Sequence, residues 1–467
     1  MGLKGSQIEI VITEQEYGGK AVGYYQEHRV VTSQGIMGQR VLAKIKRVRS
    51  SHLEAVTMEI LKKSDLETEL PCPHFERCGG CTMQGVPYEA QITMKEKQVK
   101  DLFCKHDIKH VDWLKTIDSK KTFGYRNKME FSFGNEYKGG PLTLGMHQRG
   151  RRYDVVDTPG CNIVDEDFRS IRTATADFFR EKQVLPYHKI SHEGILRHLV
   201  IRKASFTGEI MVNLVTTDSP ELPVQEWKHQ LLGLKTQGTI SGVLWTHNDN
   251  IADTVQSDHT EVLFGKPAIQ EKLLGLTFTI TPFSFFQTNS YGAEKLYESL
   301  LEWVDESDLK IYDLYCGLGT ITQLLAREAA CVTGIELVEE AVNQAREDAD
   351  ANGLENCVFI AGDVKEIIDE LLGAPDLLVV DPPRPGVHGS AMKDLLAMNP
   401  HKFIYVSCNP KTLIENLKQA IMEGWQINEA RCVDLFPHTP HMEVIVMLTK
   451  PDKRDDSNIQ NAYVSYV

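Results

Sequence analysis

The chain has 467 residues, of which 42% are hydrophobic and 25% charged, so it is too long for one ordinary core and too apolar to be disordered. No apolar run reaches the roughly 20 residues that span a bilayer, and Met1-Gly2-Leu3-Lys4-Gly5-Ser6 carries no signal-peptide core; a soluble cytoplasmic protein without membrane contact is expected. The net charge of −14 speaks against nucleic acid only until it is divided along the chain: residues 1–280 hold 37 lysines and arginines against 35 acids, and residues 281–467 hold 14 against 30.

The near-neutral front part carries basic runs, Lys44-Ile45-Lys46-Arg47-Val48-Arg49 and Arg149-Gly150-Arg151-Arg152. Such runs are usually solvated faces, but the interleaving of cations and rings in Phe123-Gly124-Tyr125-Arg126-Asn127-Lys128 fits a surface that meets RNA. Short alternating runs at Ile8 to Ile12, Val30 to Thr32, Val41 to Ile45 and Ala55 to Ile60, with glycine-bearing turns at Tyr17-Gly18-Gly19, Gly23 and Gly35 to Gly38, predict a small β-barrel of the OB type. It resembles the TRAM domain of RNA-modifying enzymes.

Next, Pro71-Cys72-Pro73-His74-Phe75-Glu76-Arg77-Cys78-Gly79-Gly80-Cys81 places three cysteines within a tight loop, and Thr158-Pro159-Gly160-Cys161 offers a fourth. Thiolates brought so close need a soft cation between them; four sulfurs suit structural zinc or an iron–sulfur cluster, and spacing does not choose. The pattern over 85–110 (Tyr88, Ile92, Lys95, Val99, Leu102, Phe103) predicts an amphipathic helix. From 122 to 280 the period changes to β alternation, as in Lys128 to Phe133, His198 to Arg202, Ile210 to Val215 and Gly242 to His247. Helices near 165–182 and 224–232 complete the picture of an antiparallel sheet with helices alongside.

From Leu309 onward strand and helix alternate as a doubly wound sheet requires. Strand Lys310 to Leu314 runs into Tyr315-Cys316-Gly317-Leu318-Gly319-Thr320, where glycines let the backbone approach a ligand. Glu336 ends the second strand, at a position where an acid accepts hydrogen bonds from ribose hydroxyls. Asp363 follows the third, near where an adenine amino group would lie, and Asp381-Pro382-Pro383-Arg384-Pro385-Gly386 follows the fourth. Strand Phe403 to Val406 then ends in Ser407-Cys408-Asn409-Pro410, a cysteine at the carboxyl end of a buried strand, where such sheets keep their chemistry.

This order of strand tips is that of class I S-adenosylmethionine-dependent methyltransferases. Together, Asp313 to Thr320, Asp381 to Arg384, Ser407-Cys408-Asn409-Pro410 and Phe436-Pro437-His438-Thr439-Pro440-His441-Met442-Glu443 resemble the RNA 5-methyluridine methyltransferase family, most closely its 23S ribosomal RNA (uracil-C5) branch. The resemblance implies a multidomain α/β protein. A TRAM barrel would span 1–62, a central α+β cluster-binding domain 63–280, and a Rossmann-like methyltransferase domain 281–467. It implies Cys408 as nucleophile and Glu443 as base, with Gln287, Tyr315, Gly317, Glu336 and Asp381, and Asp363 by position, holding S-adenosylmethionine. It further implies Cys72, Cys78, Cys81 and Cys161 as ligands of a [4Fe–4S] cluster, and a monomer acting on 23S ribosomal RNA; the alternatives are the same chemistry on transfer RNA, or a cluster-bearing RNA-binding protein with an inactive methyltransferase domain, against which the presence of both Cys408 and Glu443 argues. Cysteines 104, 316, 331, 357 and 432 match no ligand pattern and are assigned to packing.

Overall fold

Ile8, Ile10 and Ile12 turn one face of strand β1 (Gln7–Glu16) inward, against Val41, Ala43 and Ile45 of β4 (Arg40–Val48) and Leu53 and Ala55 of β5 (Leu53–Lys62). With β2 (Lys20–Tyr25) and β3 (His28–Thr32) these strands close into the expected barrel, in the order β1-β2-β3-β5-β4. The computed structural model describes residues 3–33, 35–151, 153–250, 259–368, 371 and 373–451; Arg152 and the outer ends of the first and last expected domains lie outside the described residues. One glycine departs from its expected role. Gly23 lies within β2, and a Cβ there would stand 2.4 Å from the Val11 carbonyl oxygen. It serves close strand approach, not chain reversal.

The described residues fall into two compact units, one drawn from Met1–Gln98, Ser119–Glu294 and Leu435–His441, the other from Val99–Asp118, Lys295–Asp434 and Met442–Val467. Helix α1 (Tyr88–Lys105) occupies the periodic stretch predicted for it, and a short strand β6 (Asp112–Trp113) follows.

In the first unit, β7 (Lys128–Gly134), β8 (Thr143–His147), β9 (Val155–Asp157), β10 (Leu196–Lys203), β11 (Glu209–Thr216), β12 (Thr239–His247) and β13 (His259–Gly265) form one sheet, ordered β13-β12-β11-β10-β7-β8-β9. Helices α2 (Glu166–Glu181) and α3 (Val224–Leu232) pack on it through Phe168, Phe179 and Trp227. The expectation of an antiparallel sheet fails at one place, since β11 and β12 are parallel. The α3 crossover between them requires it. A hairpin of β14 (Ile269–Leu273) and β15 (Leu276–Ile280) precedes helix α4 (Ser290–Leu301).

The second unit is the doubly wound part. Strands β16 (Lys310–Leu314), β17 (Cys331–Glu336), β18 (Cys357–Ala361), β19 (Leu377–Val380), β20 (Lys402–Ser407), β21 (Gln426–Val433) and β22 (Glu443–Thr449) form with β6 a sheet ordered β18-β17-β16-β19-β20-β22-β21-β6. Strands β18 to β20 in that order are parallel, and β22 enters antiparallel beside β20. The intervening helices are α5 (Thr320–Ala326), α6 (Glu339–Ala351), α7 (Val364–Ile367), α8 (Gly389–Ala397) and α9 (Pro410–Met422). Antiparallel β22 brings its first residue, Glu443, to the same edge as the carboxyl ends of the parallel strands, because Val444 pairs with Ser407. No described helix is long and apolar enough to cross a membrane.

Candidate active site

The turn after β16 is shaped by residues forced into left-handed backbone. Tyr315 has φ 65°, Gly317 φ 57° and Gly319 φ 69°. A Cβ on Gly319 would lie 2.5 Å from the Phe359 ring, whereas one on Gly317 would meet nothing within 4 Å. Gly319 is therefore a packing glycine, and Gly317 faces open space. Glu336, at the end of β17, accepts the Gly317 N–H at 3.1 Å on one oxygen and the Val338 N–H at 3.0 Å on the other. A carboxylate has about four lone-pair positions, so acceptor capacity remains for two neighbouring hydroxyls. Asp363 is exposed and caps α7 by accepting the Lys365 N–H at 2.8 Å. Burial, and then the Asp363 charge, push the Tyr315 phenol above its ordinary pKa, which makes these two tips electrostatic neighbours.

A second group of acids lies at the adjoining strand ends. Burial lifts Asp381 to about 7. Asp313 is also raised to about 7, by burial first and by the Asp381 and Glu336 charges, although the Thr322 hydroxyl donates to it at 2.6 Å. Glu443 is held well above the usual carboxylate range by burial and by Asp381. The Cys408 thiol is pushed up to about 12 by burial, then by Glu443 and Asp381, against the opposing pull of the Arg384 guanidinium. Asn409 fixes the turn: its side chain donates to the Arg384 carbonyl at 3.1 Å and accepts the Lys411 N–H at 3.4 Å at the start of α9. Thr412 donates to the same Arg384 carbonyl at 3.2 Å. The Cys408 turn and the Asp381-Pro382-Pro383-Arg384 loop are thus tied together.

The acids carry a stability consequence. Asp313 titrates near 3.8 as a model group and near 7 when folded, so its contribution is fully present below about pH 4 and is lost as pH rises through about 7. Asp313→Asn keeps an acceptor for Thr322 and has no charge to bury. Relative to the wild type it should gain about 2–4 kcal/mol at pH 8 and little at pH 4, read from urea unfolding at both pH values.

Gln287 belongs to the first unit, where its side chain is buried and its carbonyl accepts from Asn127 Nδ2 at 3.0 Å. The run Phe123 to Lys128 is divided: Phe123 is exposed and Arg126 and Lys128 are half-buried, whereas Tyr125 and Asn127 are buried. Of the phenylalanines at 283, 285 and 286 just ahead of Gln287, Phe286 is core while Phe285 is 69% exposed.

Cys72, Cys78, Cys81 and Cys161 do converge, lining one cavity with His74 and Gln84. Burial raises the thiol pKa at Cys72 and Cys78, and takes Cys81 to about 11 and Cys161 to about 12, with the other cysteines of the set contributing to both. Arg149 is committed here. It donates to the Cys81 carbonyl and stacks on Phe75 at 5.1 Å, so this member of the second basic run is structural. Among the described residues no group of three or more His, Cys, Asp or Glu side chains is placed to hold a metal ion. The four thiols at one cavity are a donor set that suits sulfur ligation.

A family model described as tRNA (Uracil-5-)-methyltransferase matches residues 87–451. The chain belongs to the tRNA (uracil-5-)-methyltransferase family. It is accordingly an enzyme of methyl transfer. An uncharacterized RNA methyltransferase of Clostridium tetani is 45% identical over 450 residues, covering 96% of this chain and 99% of the relative. A second, from Caldanaerobacter subterraneus subsp. tengcongensis, is 44% identical with 96% and 99% covered. Among solved structures, the Pyrococcus abyssi tRNA (uracil-54, C5)-methyltransferase in complex with S-adenosyl-L-homocysteine superposes with a TM-score of 0.76 at 26% identity, over 94% of this chain and 99% of that one. None of these three names carries the ribosomal RNA target that the sequence led us to expect.

Within this family enzyme, two features of the second unit escaped the sequence reading. Asp313 was expected only as part of a motif, and Arg384 as part of a stiff loop. Their roles emerge from burial and charge, to which a run of letters gives no access.

Proposed function

We propose that the protein methylates carbon 5 of uridine in RNA, with S-adenosylmethionine as methyl donor, Cys408 as nucleophile and Glu443 as general base. The observation that carries this reading is the mutual electrostatic influence of Cys408, Asp381, Glu443 and Arg384 at one edge of the sheet. The donor supplies an electrophilic methyl group on a sulfonium. For its binding, Glu336 retains acceptor capacity, Gly317 borders open space, and Tyr315, Asp363 and Asp381 stand at neighbouring tips; Gln287 is assigned to it by resemblance.

Carbon 5 of uracil is too weak a nucleophile to take the methyl group unaided. Cys408 releases its proton to solvent and its thiolate bonds to carbon 6, placing the electron pair on carbon 5. Once carbon 5 is methylated, Glu443 takes its remaining proton, and the pair left behind expels the Cys408 thiolate. Return of that proton from Glu443 to the sulfur restores the starting pair. One proton leaves per cycle, at thiol ionisation. Burial and the Asp381 charge raise the Glu443 pKa, which makes its carboxylate a stronger proton acceptor for this step.

The cysteine set is proposed to hold a [4Fe–4S] cluster through Cys72, Cys78, Cys81 and Cys161, in a structural role. The four cysteines line one cavity, and the choice of a cluster over zinc rests on the resemblance. Anaerobically prepared protein should be brown, with about four irons per chain; colourless protein containing zinc would refute the assignment.

Ribosomal and transfer RNA remain the two candidate substrates. The barrel does not separate them, since the P. abyssi transfer RNA enzyme matches 94% of this chain, leaving too few residues over to contain Gln7–Lys62. That match gives the transfer RNA reading its support, while the Cys72-to-Cys81 motif is the feature that resembles the 23S branch. Mapping 5-methyluridine in 23S ribosomal RNA and transfer RNA from cells with and without the gene decides it: one modified position should vanish from one of the two pools. No loss in either overturns the function.

A further inference from the structure

Four consecutive carbonyls of the loop ahead of Glu443 are each provided with a donor. Asn289 Nδ2 donates to the Leu435 carbonyl at 2.8 Å, Lys95 Nζ to that of Phe436 at 3.0 Å, and the Tyr125 hydroxyl to that of Pro437 at 3.0 Å. The His438 carbonyl accepts the N–H groups of both Thr82 and Met83 at 3.0 Å. The Phe436 carbonyl also accepts the Thr439 N–H at 3.2 Å and the Thr439 hydroxyl at 2.8 Å, so Lys95 brings it a charged third donor. Asn289, Lys95 and Tyr125 are almost wholly buried, so water cannot readily take the place of the donors they supply.

His438 is the pivot of this arrangement. It sits at φ 66°, a left-handed conformation that is strained for a non-glycine residue and persists only where the surroundings over-determine it. Its N–H donates to Gln91 Oε1 at 3.0 Å, and its Nδ1 lies 3.1 Å from Gln91 Nε2, which also donates to the Met83 and Val86 carbonyls. The Phe123 ring stacks on the imidazole at 4.3 Å. Pro437 and Pro440 stiffen the same stretch. A loop of ordinary connecting duty needs no such provision. What distinguishes this one is its place in the chain: His441 ends it, and Glu443 stands two residues later at the head of β22.

We propose that Lys95, Tyr125 and the Gln91–His438 pair are positioning residues for the proton-removal step, fixing the loop from which Glu443 leads off. This rests on the reading of Glu443 as the general base. The consequence is confined to one step. Addition of Cys408 to carbon 6 and methyl transfer to carbon 5 do not use Glu443, whereas breaking the carbon 5–hydrogen bond and expelling the sulfur do. A loosened loop therefore leaves methylated uracil attached to the protein.

The test uses the whole protein, methyl-tritiated S-adenosylmethionine and total RNA from cells lacking the gene. Protein-bound label is read on a denaturing gel after ribonuclease digestion, beside 5-methyluridine formed in the RNA. The wild type should place label in RNA with little on protein. Tyr125→Phe, which removes one oxygen atom, and Lys95→Met, which removes the donor at similar length, should raise protein-bound label by about ten- to a hundredfold and lower turnover by the same factor, with single-turnover methyl transfer unchanged. If Lys95→Met fails to fold, Tyr125→Phe decides. Protein-bound label at the wild-type level, whether turnover is normal or reduced, overturns the positioning role while leaving uridine methylation standing. A wild type that puts no label into RNA overturns the function and this role with it.

Discussion

Cys408→Ala protein should form no covalent complex with 5-fluorouridine-substituted RNA in the presence of S-adenosylmethionine, and its formation of 5-methyluridine should fall on the order of 10⁴- to 10⁶-fold. The size of the loss follows from the chemistry, since nothing else at the site can place an electron pair on carbon 5. Fluorine at carbon 5 cannot leave as a proton, so wild-type protein should hold the substituted RNA as a complex that survives denaturation. The thiol that must ionise is held at about 12 by burial and by the Glu443 and Asp381 carboxylates, against Arg384 and a backbone hydrogen bond. Adduct formation by the wild type should therefore quicken as pH rises from 6 to 9. An undiminished adduct in Cys408→Ala, or none in the wild type, would sink the nucleophile assignment.

How far the sequence reaches differs between the two units, for physical reasons. Parallel strands buried on both faces read as apolar runs that end abruptly. The tips bearing Gly317, Glu336, Asp363, Asp381 and Cys408 can thus be placed at the ends of β16 to β20 from the sequence. Glu443 could be read as opening an apolar strand, but that β22 runs antiparallel and starts where β20 ends comes only from the pairing. Glycine was misread where its reason is tertiary: Gly23 makes room for the Val11 carbonyl, and that contact has no local signature. The parallel pairing of β11 and β12 was missed because period-two alternation does not encode strand direction. Charge coupling at Asp313 and the support of His438 were illegible for a related reason. Gln91 and His438 stand 347 residues apart in the chain. The four cluster cysteines gather at one cavity as their clustering in sequence suggested, yet neither spacing nor cavity identifies the metal.

Glu443→Gln should behave in the opposite manner to Cys408→Ala, making a covalent complex with ordinary RNA that needs no fluorine to trap it. The amide fills the same space and cannot accept the carbon 5 proton, so release of methylated RNA should slow by about 10²- to 10⁴-fold while methyl transfer persists. Two further effects have signs fixed by electrostatics. Glu443 is raised well above the carboxylate range when folded, so its contribution to stability is present below its unfolded pKa and is lost as pH rises through the folded value; a neutral glutamine escapes that loss, and the variant should be at least as stable as the wild type at pH 8. After burial, Glu443 is also the largest cause holding the Cys408 thiol up, so its removal lowers the thiol pKa and adduct formation should set in at lower pH than in the wild type. A stable variant that accumulates a methylated adduct, and does so from a lower pH, separates the base from a merely structural acid. If Glu443→Gln released 5-methyluridine at the wild-type rate, the proton would have to go elsewhere, and Asp381, buried and titrating near 7, would be the residue to substitute next.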